Sequence, residues 1–475
     1  MTTTPHPSPI TTLAALANAV AGRWLSLPPD ANTSITGFSI DTRTLKPGDV
    51  FIALTTEKAD GHDHLAAAAE AGASAALVSQ PYPDTTALPL LYTDNTLTAL
   101  HQAAAAHRSV FDFPVIAVIG SNGKTTTRQL IHASLSSLLK GSQSPKSFNN
   151  HLGVPLTLLQ MRQDDNFLLA ELGTNHPGEL EPLAKLAQPT HLVLTTLGSE
   201  HLEHFHNLAG VTAEETSTLH HLQPPATLIA STQAWSVVRE HAPTIAAHHN
   251  PILYSDLDTA APIHIIPDTL RQSSTGLNFT ASVHGQPIDI QLPMLGGHNA
   301  FNTLAAFALA HELNIDLHAA AKGLSQLHTV PRRLEPVQLN NLLLIDDAYN
   351  ANPESTALAI DTFFSLQNPG PRAIVLGDML ELGDHTAPAH RQTLRHLIPH
   401  TNKIDQLFLV GPAYTQALKD TPELTVNTHA EPDASDDAIN RITQLIHDHT
   451  SAILIKASLG LDFLRLRRAI EARFA

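Results

Sequence analysis

The sequence predicts an α/β protein with three domains. Its 475 residues exceed what a single hydrophobic core usually holds and suggest roughly three cores at about 150 residues each. Short apolar runs alternate with amphipathic stretches along the chain, and in the last third they repeat as strand and then helix. Such a repeat is typical of a doubly wound α/β sheet. We place the domains at residues 1–107, 108–330 and 331–475.

The first segment is predicted to be a small α/β domain. Strand-like runs cover residues 35–40, 50–54 and 75–78, and an Ala-rich helical stretch covers 64–71. Pro47-Gly48-Asp49, between the first two runs, has the composition of a turn.

The second segment is predicted to hold a parallel sheet with an added hairpin. Residues 114–119 form a continuous apolar run typical of a buried parallel strand, and a glycine turn and a helix to about residue 140 follow. Further strands are predicted at 167–172, 191–196 and 227–230. Alternating apolar residues at 277–283 and 288–292, on either side of a His-Gly-Gln turn, predict an antiparallel hairpin.

The third segment is predicted to begin with a strand at 342–345. Strands at 373–376, 407–410 and 452–455 follow, separated by helical stretches.

The composition excludes several classes of protein. With 27 Lys plus Arg against 44 Asp plus Glu, the net charge of −17 argues against a general nucleic-acid binder. There are no cysteines, so disulfides and thiolate metal sites are excluded. We expect no secretory signal and no membrane insertion, because no suitable apolar run is present. A cytoplasmic protein is therefore expected. We also predict a monomer, although no sequence pattern indicates the oligomeric state.

A glycine-rich turn after the first strand of the second segment predicts a phosphate loop. It consists of Gly120, Ser121, Asn122, Gly123, Lys124, Thr125 and Thr126. The glycines let backbone N–H groups approach phosphate oxygens at a helix N-terminus. Lys124 would neutralise the β- and γ-phosphates and the Thr125 hydroxyl would ligate Mg²⁺. The alternative is an ordinary strand-to-helix turn with a surface lysine.

This stretch resembles the Gly-x-x-Gly-Lys-Thr-Thr loop of the Mur ligases and of their relatives, the folylpolyglutamate synthases. The resemblance implies an N-terminal domain that binds the UDP part of a substrate, a central ATPase-like domain and a C-terminal Rossmann-like domain. It covers the whole chain.

Glu171 ends the predicted strand at 167–172, on the edge of the sheet where ligands bind, and a carboxylate there can hold Mg²⁺. The alternative is a capping or turn carboxylate. Residues 171–176 are similar to the Glu-Leu-Gly-x-Asn-His motif of the Mur ligases that add D-alanyl-D-alanine, which implies that Glu171 binds the metal. The resemblance also implies that His201 helps to bind a second Mg²⁺, and we favour this over a zinc site among the nearby histidines.

At one position the chain departs from the family pattern. Mur ligases usually carry a lysine about fourteen residues after the His201 position, and its CO₂ adduct, a carbamate, bridges the magnesium ions. Here the matching residue is Glu215, which offers the same charge and oxygen ligands on a shorter arm. Our hypothesis is that Glu215 replaces the carbamate permanently. The alternatives are that Glu214 takes this role or that neither glutamate contacts the metal.

Two further motifs are assigned to the nucleotide. His298, Asn299 and Asn302 match the His-Asn-x-x-Asn of the Mur ligases, which implies contact with adenine and phosphates. A glycine-rich helix N-terminus is the alternative. Arg333 matches the arginine that contacts nucleotide, whereas Arg332 stands where the family usually has glycine, which affects the backbone geometry at this hinge.

The remaining predictions concern the other substrates. Asp-Asp-x-Tyr-Asn-Ala-Asn-Pro at 346–353 resembles the loop of Mur ligases that add D-alanyl-D-alanine, although a turn with a helix cap is an alternative. The resemblance assigns substrate binding to Asp347, Tyr349, Asn350, Asn352, to Asn149 and Asn150, and to Asp41, Thr42 and Arg43 at the UDP site.

The resemblance implies an ATP- and Mg²⁺-dependent ligase of peptidoglycan precursor synthesis. It would join D-alanyl-D-alanine to a UDP-N-acetylmuramoyl-tripeptide through an acyl phosphate. A sister ligase of Mur or folylpolyglutamate-synthase type, a nucleotide-switched binding protein and an inactive homologue are the alternatives.

Overall fold

The computed structural model describes residues 9–25, 30, 32–57, 59–80, 88–198, 202–327, 330–367 and 370–475. Within these residues the chain forms three sheets, of five, ten and six strands, and each sheet lies inside one of the three predicted segments. The predicted α/β class is confirmed. Of the helices in these ranges, none is both long enough and apolar enough to cross a bilayer.

The first sheet has the order β1-β5-β4-β3-β2, with β1 antiparallel to β5 and the other pairs parallel. Its elements are α1 Leu13–Ala19, β1 Arg23–Trp24, β2 Phe38–Ser39, β3 Val50–Ile52, α2 Leu65–Glu70, β4 Ala75–Val78, β5 Leu90–Tyr92 and α3 Thr96–Arg108. The strand predicted at 35–40 is shorter than expected, because Ile35 donates its N–H to Thr11 instead of to the sheet.

The second sheet has the order β13-β14-β12-β11-β10-β9-β6-β8-β7, with β15 paired to β14. Its strands are β6 Val115–Ile119, β7 Gly141–Gln143, β8 Phe167–Glu171, β9 His191–Leu194, β10 Thr227–Ser231, β11 Ile252–Ser255, β12 Ile263–Ile265, β13 Arg271–Gln272, β14 Leu277–Val283 and β15 Gln286–Leu292. The strands from β7 to β12 are parallel, and β14 with β15 forms the predicted antiparallel hairpin.

The helices of this second unit are α4 Lys124–Leu135, α5 Gly153–Leu158, α6 Leu180–Ala187, α7 Leu202–Phe205, α8 Leu208–Ser217, α9 Thr232–His241, α10 Pro243–Ala246, α11 Gly297–Glu312 and α12 Leu317–Ser325. Helix α4 ends at Leu135, before the predicted residue 140. Serines follow there, and Ser137 donates its hydroxyl hydrogen to the carbonyl of Ser134, a local bond that competes with helix continuation.

The third sheet has the order β16-β17-β21-β18-β19-β20. Its elements are β16 Glu335–Leu339, β17 Leu342–Asp347, α13 Pro353–Ser365, β18 Arg372–Gly377, α14 Thr386–Leu397, β19 Gln406–Val410, α15 Pro412–Lys419, β20 Thr428–Glu431, α16 Asp436–Leu445, β21 Ala452–Lys456 and α17 Leu464–Phe474. The prediction that 342–345 is the first strand of this segment is wrong. An antiparallel strand, β16, precedes it and is only half-buried, so it lacks a continuous apolar run.

Helix α3 joins the first unit to the second. Its last residues are buried, and Arg108 donates to the carbonyls of Ala187 and Gln188 at 2.9 and 3.0 Å. His107 accepts a hydrogen bond from the N–H of Ile10 and contacts the carbonyl of Met161 at 3.0 Å. Burial lowers the pKa of His107, which keeps the ring neutral and able to serve as both acceptor and donor. One hydrophobic core therefore continues across both units.

Arg467 on α17 ties the antiparallel edge of the third sheet together. Its guanidinium contacts Asp346 at 2.9 Å and Glu335 at 2.5 Å. Asp346 is fully buried, and desolvation raises the pKa of its carboxyl although Arg467 opposes that shift. Removing the arginine would leave a buried carboxylate without its cation.

We expect Arg467→Met to lower the free energy of unfolding by about 3–5 kcal/mol at neutral pH. The loss should shrink as the pH falls, because a protonated Asp346 needs no cation. Arg468→Met, an exposed change on the same helix, should stay within about 0.5 kcal/mol of the parent. Urea unfolding at several pH values measures both variants. Equal effects of the two substitutions would contradict the assigned role.

Candidate active site

The predicted phosphate loop lies between β6 and α4, and its shape requires glycine at two positions. Gly120 and Gly123 have φ of +117° and +82°. A Cβ on Gly120 would lie 2.5 Å from Thr195 Oγ1 and 2.7 Å from the carbonyl oxygen of Thr196. The backbone therefore turns against the end of β9 more closely than any side chain would allow.

Hydrogen bonds to the end of β9 fix the loop in place. The Ser121 N–H donates to the carbonyl of Thr196 at 2.8 Å, and the Asn122 N–H donates to Thr196 Oγ1 at 3.0 Å. Lys124 folds its ammonium back over the loop, onto the carbonyls of Gly120 and Ser121. Its positive charge is thus held at the centre of the turn.

A cluster of oxygen ligands lies beside the loop, centred on Glu171 at the end of β8. Glu171 Oε1 accepts hydrogen bonds from Thr125 Oγ1 and Asn149 Nδ2, each at 3.0 Å. Ser147 Oγ lies 3.3 Å from Thr125 Oγ1. A carboxylate beside hydroxyl oxygens is ligand chemistry that Mg²⁺ prefers, so the residues fit that ion.

Arg128 is a site residue that the sequence analysis missed. It lies one turn after Lys124 on α4, donates from Nε to Glu171 Oε2 at 3.3 Å and from Nη2 to the carbonyl of Lys146 at 2.7 Å. Both Arg128 and Glu171 are about 1% exposed. A cation four residues after the loop lysine, on the same helix face, was the available signal.

The two adjacent glutamates of α8 have different surroundings. Glu215 is fully buried behind the phosphate loop and accepts the N–H of Gly120 at 2.9 Å. Glu214 accepts the N–H groups of Gly178 and Leu180, at 2.7 and 2.8 Å, at the start of α6. Only Glu215 of this pair contacts the loop, although its role as a metal ligand stays a prediction. His201 lies outside the described residues.

The start of α11 brings His298, Asn299 and Asn302 to the loop. A Cβ on Gly123 would lie 3.0 Å from Asn302 Oδ1, so this amide packs directly on the turn. Asn299 donates to the carbonyl of Leu295 at 2.7 Å. Burial lowers the pKa of His298 to about 4, a shift that Asp347 opposes and Lys456 reinforces. The imidazole is therefore neutral at physiological pH and can accept a hydrogen bond.

Arg333 crosses from the third unit to the phosphate loop. Its Nη2 donates to Thr125 Oγ1 at 3.1 Å, and its guanidinium lies 4.4 Å from the centre of the Tyr349 ring. Stacking on an aromatic face restricts the guanidinium to one plane. The arginine therefore reaches the loop in a fixed orientation.

Arg332 adopts the backbone conformation that glycine favours, with φ of +60°. Its N–H donates to Glu335 Oε2 at 2.8 Å, its guanidinium contacts the carbonyl of Ala348, and its own carbonyl accepts the N–H of Tyr349 at 3.2 Å. These bonds hold an arginine in a left-handed turn.

The loop after β17 carries the remaining predicted substrate residues. Asp347 Oδ2 pairs with Lys456 Nζ at 2.7 Å, and Lys456 also donates to the carbonyl of Asn350 at 2.7 Å. Asn352 caps α13, because its side-chain Oδ1 accepts a hydrogen bond from the N–H of Ser355 at 2.8 Å. The alternative of a helix cap therefore holds for this side-chain oxygen. Its amide nitrogen contacts Asn122 Oδ1 at 2.8 Å, across the gap between the units.

These elements enclose a cavity of about 680 Å³, a volume typical of small-molecule sites. From the predicted set its lining includes Ser121, Asn122, Gly123, Lys124, Thr125, Thr126, Asn149, Asn150, Glu171, His298, Asn299, Asn302, Arg333, Asp347, Tyr349, Asn350 and Asn352. Gly120 and Glu215 lie behind this lining.

Asp41, Thr42 and Arg43 are not part of the cavity wall. Arg43 Nη2 pairs with Asp41 Oδ2 at 2.7 Å on the surface of the first unit, and its side chain is 86% exposed. Hydrogen bonds from Arg43 lower the pKa of Asp41 to about 2. Their assignment to the UDP group stays a prediction.

Fold and site together define a nucleotide-dependent enzyme in which a Rossmann-like domain faces a phosphate loop across the cavity. Sequence models of the Mur ligase family match most of the chain: the family's catalytic domain at residues 34–108, its middle domain at 118–310 and its glutamate ligase domain at 332–459. The chain belongs to the Mur ligase family.

Individual relatives agree with this assignment. UDP-N-acetylmuramoyl-tripeptide–D-alanyl-D-alanine ligase of Bacillus subtilis is 34% identical over 408 residues, which cover 84% of this chain and 85% of that protein. The enzyme of the same name from Escherichia coli is 35% identical over 369 residues, covering 76% and 78%. A crystal structure of MurF from Acinetobacter baumannii superposes with a TM-score of 0.83 at 28% identity, covering 98% of this chain and 100% of that one.

The two roles of Asn352 are separable by substitution. Asn352→Ser keeps a capping oxygen and removes the amide that contacts Asn122, whereas Asn352→Ala removes both. We expect the free energy of unfolding of the alanine variant to be about 1 kcal/mol lower than that of the serine variant. A double-mutant cycle with Asn122→Ala, followed by urea unfolding, should give a coupling of about 0.5–1.5 kcal/mol. Zero coupling would contradict a contact between the units.

Proposed function

We propose that the chain joins D-alanyl-D-alanine to UDP-N-acetylmuramoyl-tripeptide at the expense of ATP, as an amide ligase of peptidoglycan precursor synthesis. The names of the Bacillus subtilis and Escherichia coli relatives support this reaction. The loop at 346–353, with two aspartates, a tyrosine and two asparagines, supports the choice of amine acceptor within the family.

The observation that carries the proposal is the contact of Arg333 with Thr125. Arg333 also stacks on Tyr349 in the loop after β17, and both residues line the same cavity as Lys124. A phosphoryl donor held on the phosphate loop and an acceptor carboxylate held opposite it would then meet within one enclosed space. Such positioning is the main contribution an enzyme makes to phosphoryl transfer.

The reaction balances in two steps. An oxygen of the terminal carboxylate of the tripeptide attacks the γ-phosphorus, the bond from that phosphorus to the β,γ-bridging oxygen breaks, and ADP leaves. The free amine of D-alanyl-D-alanine then attacks the carbonyl carbon of the acyl phosphate. An amide bond forms, the amine loses a proton, and inorganic phosphate leaves.

Lys124 and Arg333 supply the positive charge in this scheme. Lys124 lies at the centre of the loop, where the β- and γ-phosphates would lie against the backbone N–H groups of the turn and the start of α4. The guanidinium of Arg333, oriented by Tyr349, would contact the transferred phosphoryl group from the other side of the cavity. His298, Asn299 and Asn302 would hold the nucleotide beside the turn.

Mg²⁺ would be held by Thr125 and Glu171, together with His201 and Glu215, and would neutralise charge on the phosphates. Arg128 fixes the direction of the Glu171 carboxylate toward Thr125. Asn149 does the same from the loop that precedes α5.

The UDP-muramoyl part is assigned to the first unit and to the loops that face the cavity. Asp41, Thr42 and Arg43 would bind the uridine diphosphate, and Asn149, Asn150, Asp347, Tyr349, Asn350 and Asn352 would bind the peptide parts. We further propose a monomer with domain boundaries near residues 107 and 330.

The proposal predicts a strict requirement for Lys124. Lys124→Met should lower D-alanyl-D-alanine-dependent phosphate release by about 10³-fold, because a charge aimed at the transferred phosphoryl group is lost. Lys185→Met, an exposed change on α6, should leave the rate unchanged. The assay combines ATP, Mg²⁺, the UDP-linked tripeptide and the dipeptide, and identifies the product by mass.

The same assay separates the alternatives. Phosphate release that needs no amine would favour a nucleotide-switched protein, and release with a single amino acid or glutamate would favour a sister ligase. Full activity of the Lys124→Met variant would exclude the proposed chemistry.

A second prediction concerns Glu215, which we propose as a permanent substitute for the carbamylated lysine of the family. The parent enzyme should show equal rates in CO₂-depleted buffer and with added bicarbonate. Glu215→Gln keeps an acceptor for the Gly120 N–H but removes the charge, so its kcat should fall by about 10²-fold with little loss of stability.

Glu214→Gln is the matched control. Glu214→Gln should lower the midpoint of urea unfolding, because an amide has one acceptor oxygen and can keep only one of the hydrogen bonds from the N–H groups of Gly178 and Leu180. Its kcat should stay near the parent value. Strong stimulation of the parent enzyme by bicarbonate would overturn the Glu215 proposal.

A further inference from the structure

A carboxylate and two imidazoles converge on the surface of the C-terminal unit. None of the three residues has a role in the proposed ligase reaction. Asp405 Oδ2 lies 2.8 Å from His447 Nδ1 and 3.7 Å from His449 Nε2. One ligand atom from each residue lies within 4.8 Å of the other two. Among the residues that the structure describes, this is the one group of three such side chains that meets this condition.

The group lies at the opposite edge of the sheet from the cavity. Asp405 immediately precedes β19, and both histidines lie between the end of α16 and the start of β21. The cavity is instead lined by residues that follow the carboxyl ends of strands, such as Lys456 at the end of β21. Binding at the 405–449 group is therefore spatially separate from catalysis.

Hydrogen bonds from the backbone N–H groups hold Asp405 and His447 in position. The N–H of Asp405 donates to the carbonyl of Arg372 at 2.8 Å, and the N–H of His447 donates to Gln406 Oε1 at 2.9 Å. Gln406 is buried and donates to the carbonyl of Leu445 at 2.8 Å. The turn that carries the histidines is thus fixed to the start of β19 without any ion.

The distances suit a small divalent ion. Tetrahedral bonds of about 2.0–2.1 Å to nitrogen and oxygen place neighbouring ligand atoms about 3.4 Å apart. The observed separations of 2.8 and 3.7 Å lie on either side of this value, so side-chain rotations alone could close the site. The side chains of His447 and His449 are 41% and 65% exposed, which leaves the ligand atoms accessible.

We propose that Asp405, His447 and His449 form a binding site for a divalent transition-metal ion of the Zn²⁺ type, with solvent in the fourth position. Two imidazoles and one carboxylate favour Zn²⁺ over Mg²⁺ and Ca²⁺, which prefer oxygen ligands alone. A bound ion would link the beginning of β19 to the turn before β21 and stabilise the C-terminal unit. The site is independent of the proposed ligase reaction.

Zn²⁺ titration of the full chain in excess Mg²⁺, followed by calorimetry, tests the proposal. Excess Mg²⁺ occupies sites with oxygen ligands, and the chain has no cysteine that would compete. We expect one Zn²⁺ per chain and an unfolding temperature that rises with Zn²⁺ concentration. His449→Ala should weaken this binding by more than about 10-fold and abolish the rise, because one direct ligand is lost.

His318→Ala, which removes an exposed histidine on α12, is the matched control and should bind Zn²⁺ as the parent does. Absorption bands of tetrahedral Co²⁺ in the parent, absent from His449→Ala, would support the assigned ligands. Unchanged affinity and stoichiometry in His449→Ala, or displacement of Zn²⁺ by Mg²⁺ alone, would overturn the proposal. In that case Asp405 and His447 form only a hydrogen bond.

Discussion

The site depends on the hydrogen bonds that the carboxylate of Glu171 accepts. It accepts hydrogen bonds from Thr125 on α4, from Asn149 in the loop before α5 and from the buried Arg128. One side chain at the end of β8 thereby fixes the phosphate helix and a neighbouring loop in relation to each other. Removing the Glu171 carboxylate would leave Arg128 as a buried cation without its anion, and such groups destabilise a protein strongly.

The C-terminal unit reaches this arrangement through Thr125. The hydroxyl of Thr125 that donates to Glu171 also accepts a hydrogen bond from the guanidinium of Arg333, so one hydroxyl connects Glu171 to the C-terminal unit. A second contact joins Asn352 to Asn122, three residues before Thr125 in the sequence. The structure thus shows the second and third units in contact at two residues of the phosphate loop, Asn122 and Thr125.

The sequence predicted the parts of the fold that carry strong patterns. The continuous apolar runs of β6 and β8 and the alternation of β14 with β15 lie where the residues indicated, and the family assignment is confirmed. Short or half-buried strands such as β16 and β20 were missed, since a few exposed residues do not distinguish a strand from a loop.

The candidate site was predictable only in its motifs. Glycine spacing indicates a tight turn at 120–123, but nothing in the spacing indicates that Arg128 is buried against Glu171. The difference between Glu214 and Glu215 depends on helix direction. Adjacent residues of a helix point about 100° apart, so one carboxylate reaches α6 while the next reaches Gly120. The sequence left these two open because a shift of one residue reverses their roles.

Arg332 shows how a departure from the family pattern is accommodated. A left-handed backbone costs a non-glycine residue roughly 1–2 kcal/mol, and the chain keeps it at φ of +60°. The side chain offsets that cost, because its guanidinium contacts the carbonyl of Ala348, an interaction that glycine cannot make. Its backbone carbonyl meanwhile holds the N–H of Tyr349, the residue whose ring orients Arg333. The turn at Arg332 therefore helps to orient Arg333 at the phosphate loop. The Arg332 side chain adds a hydrogen bond that the usual glycine could not form.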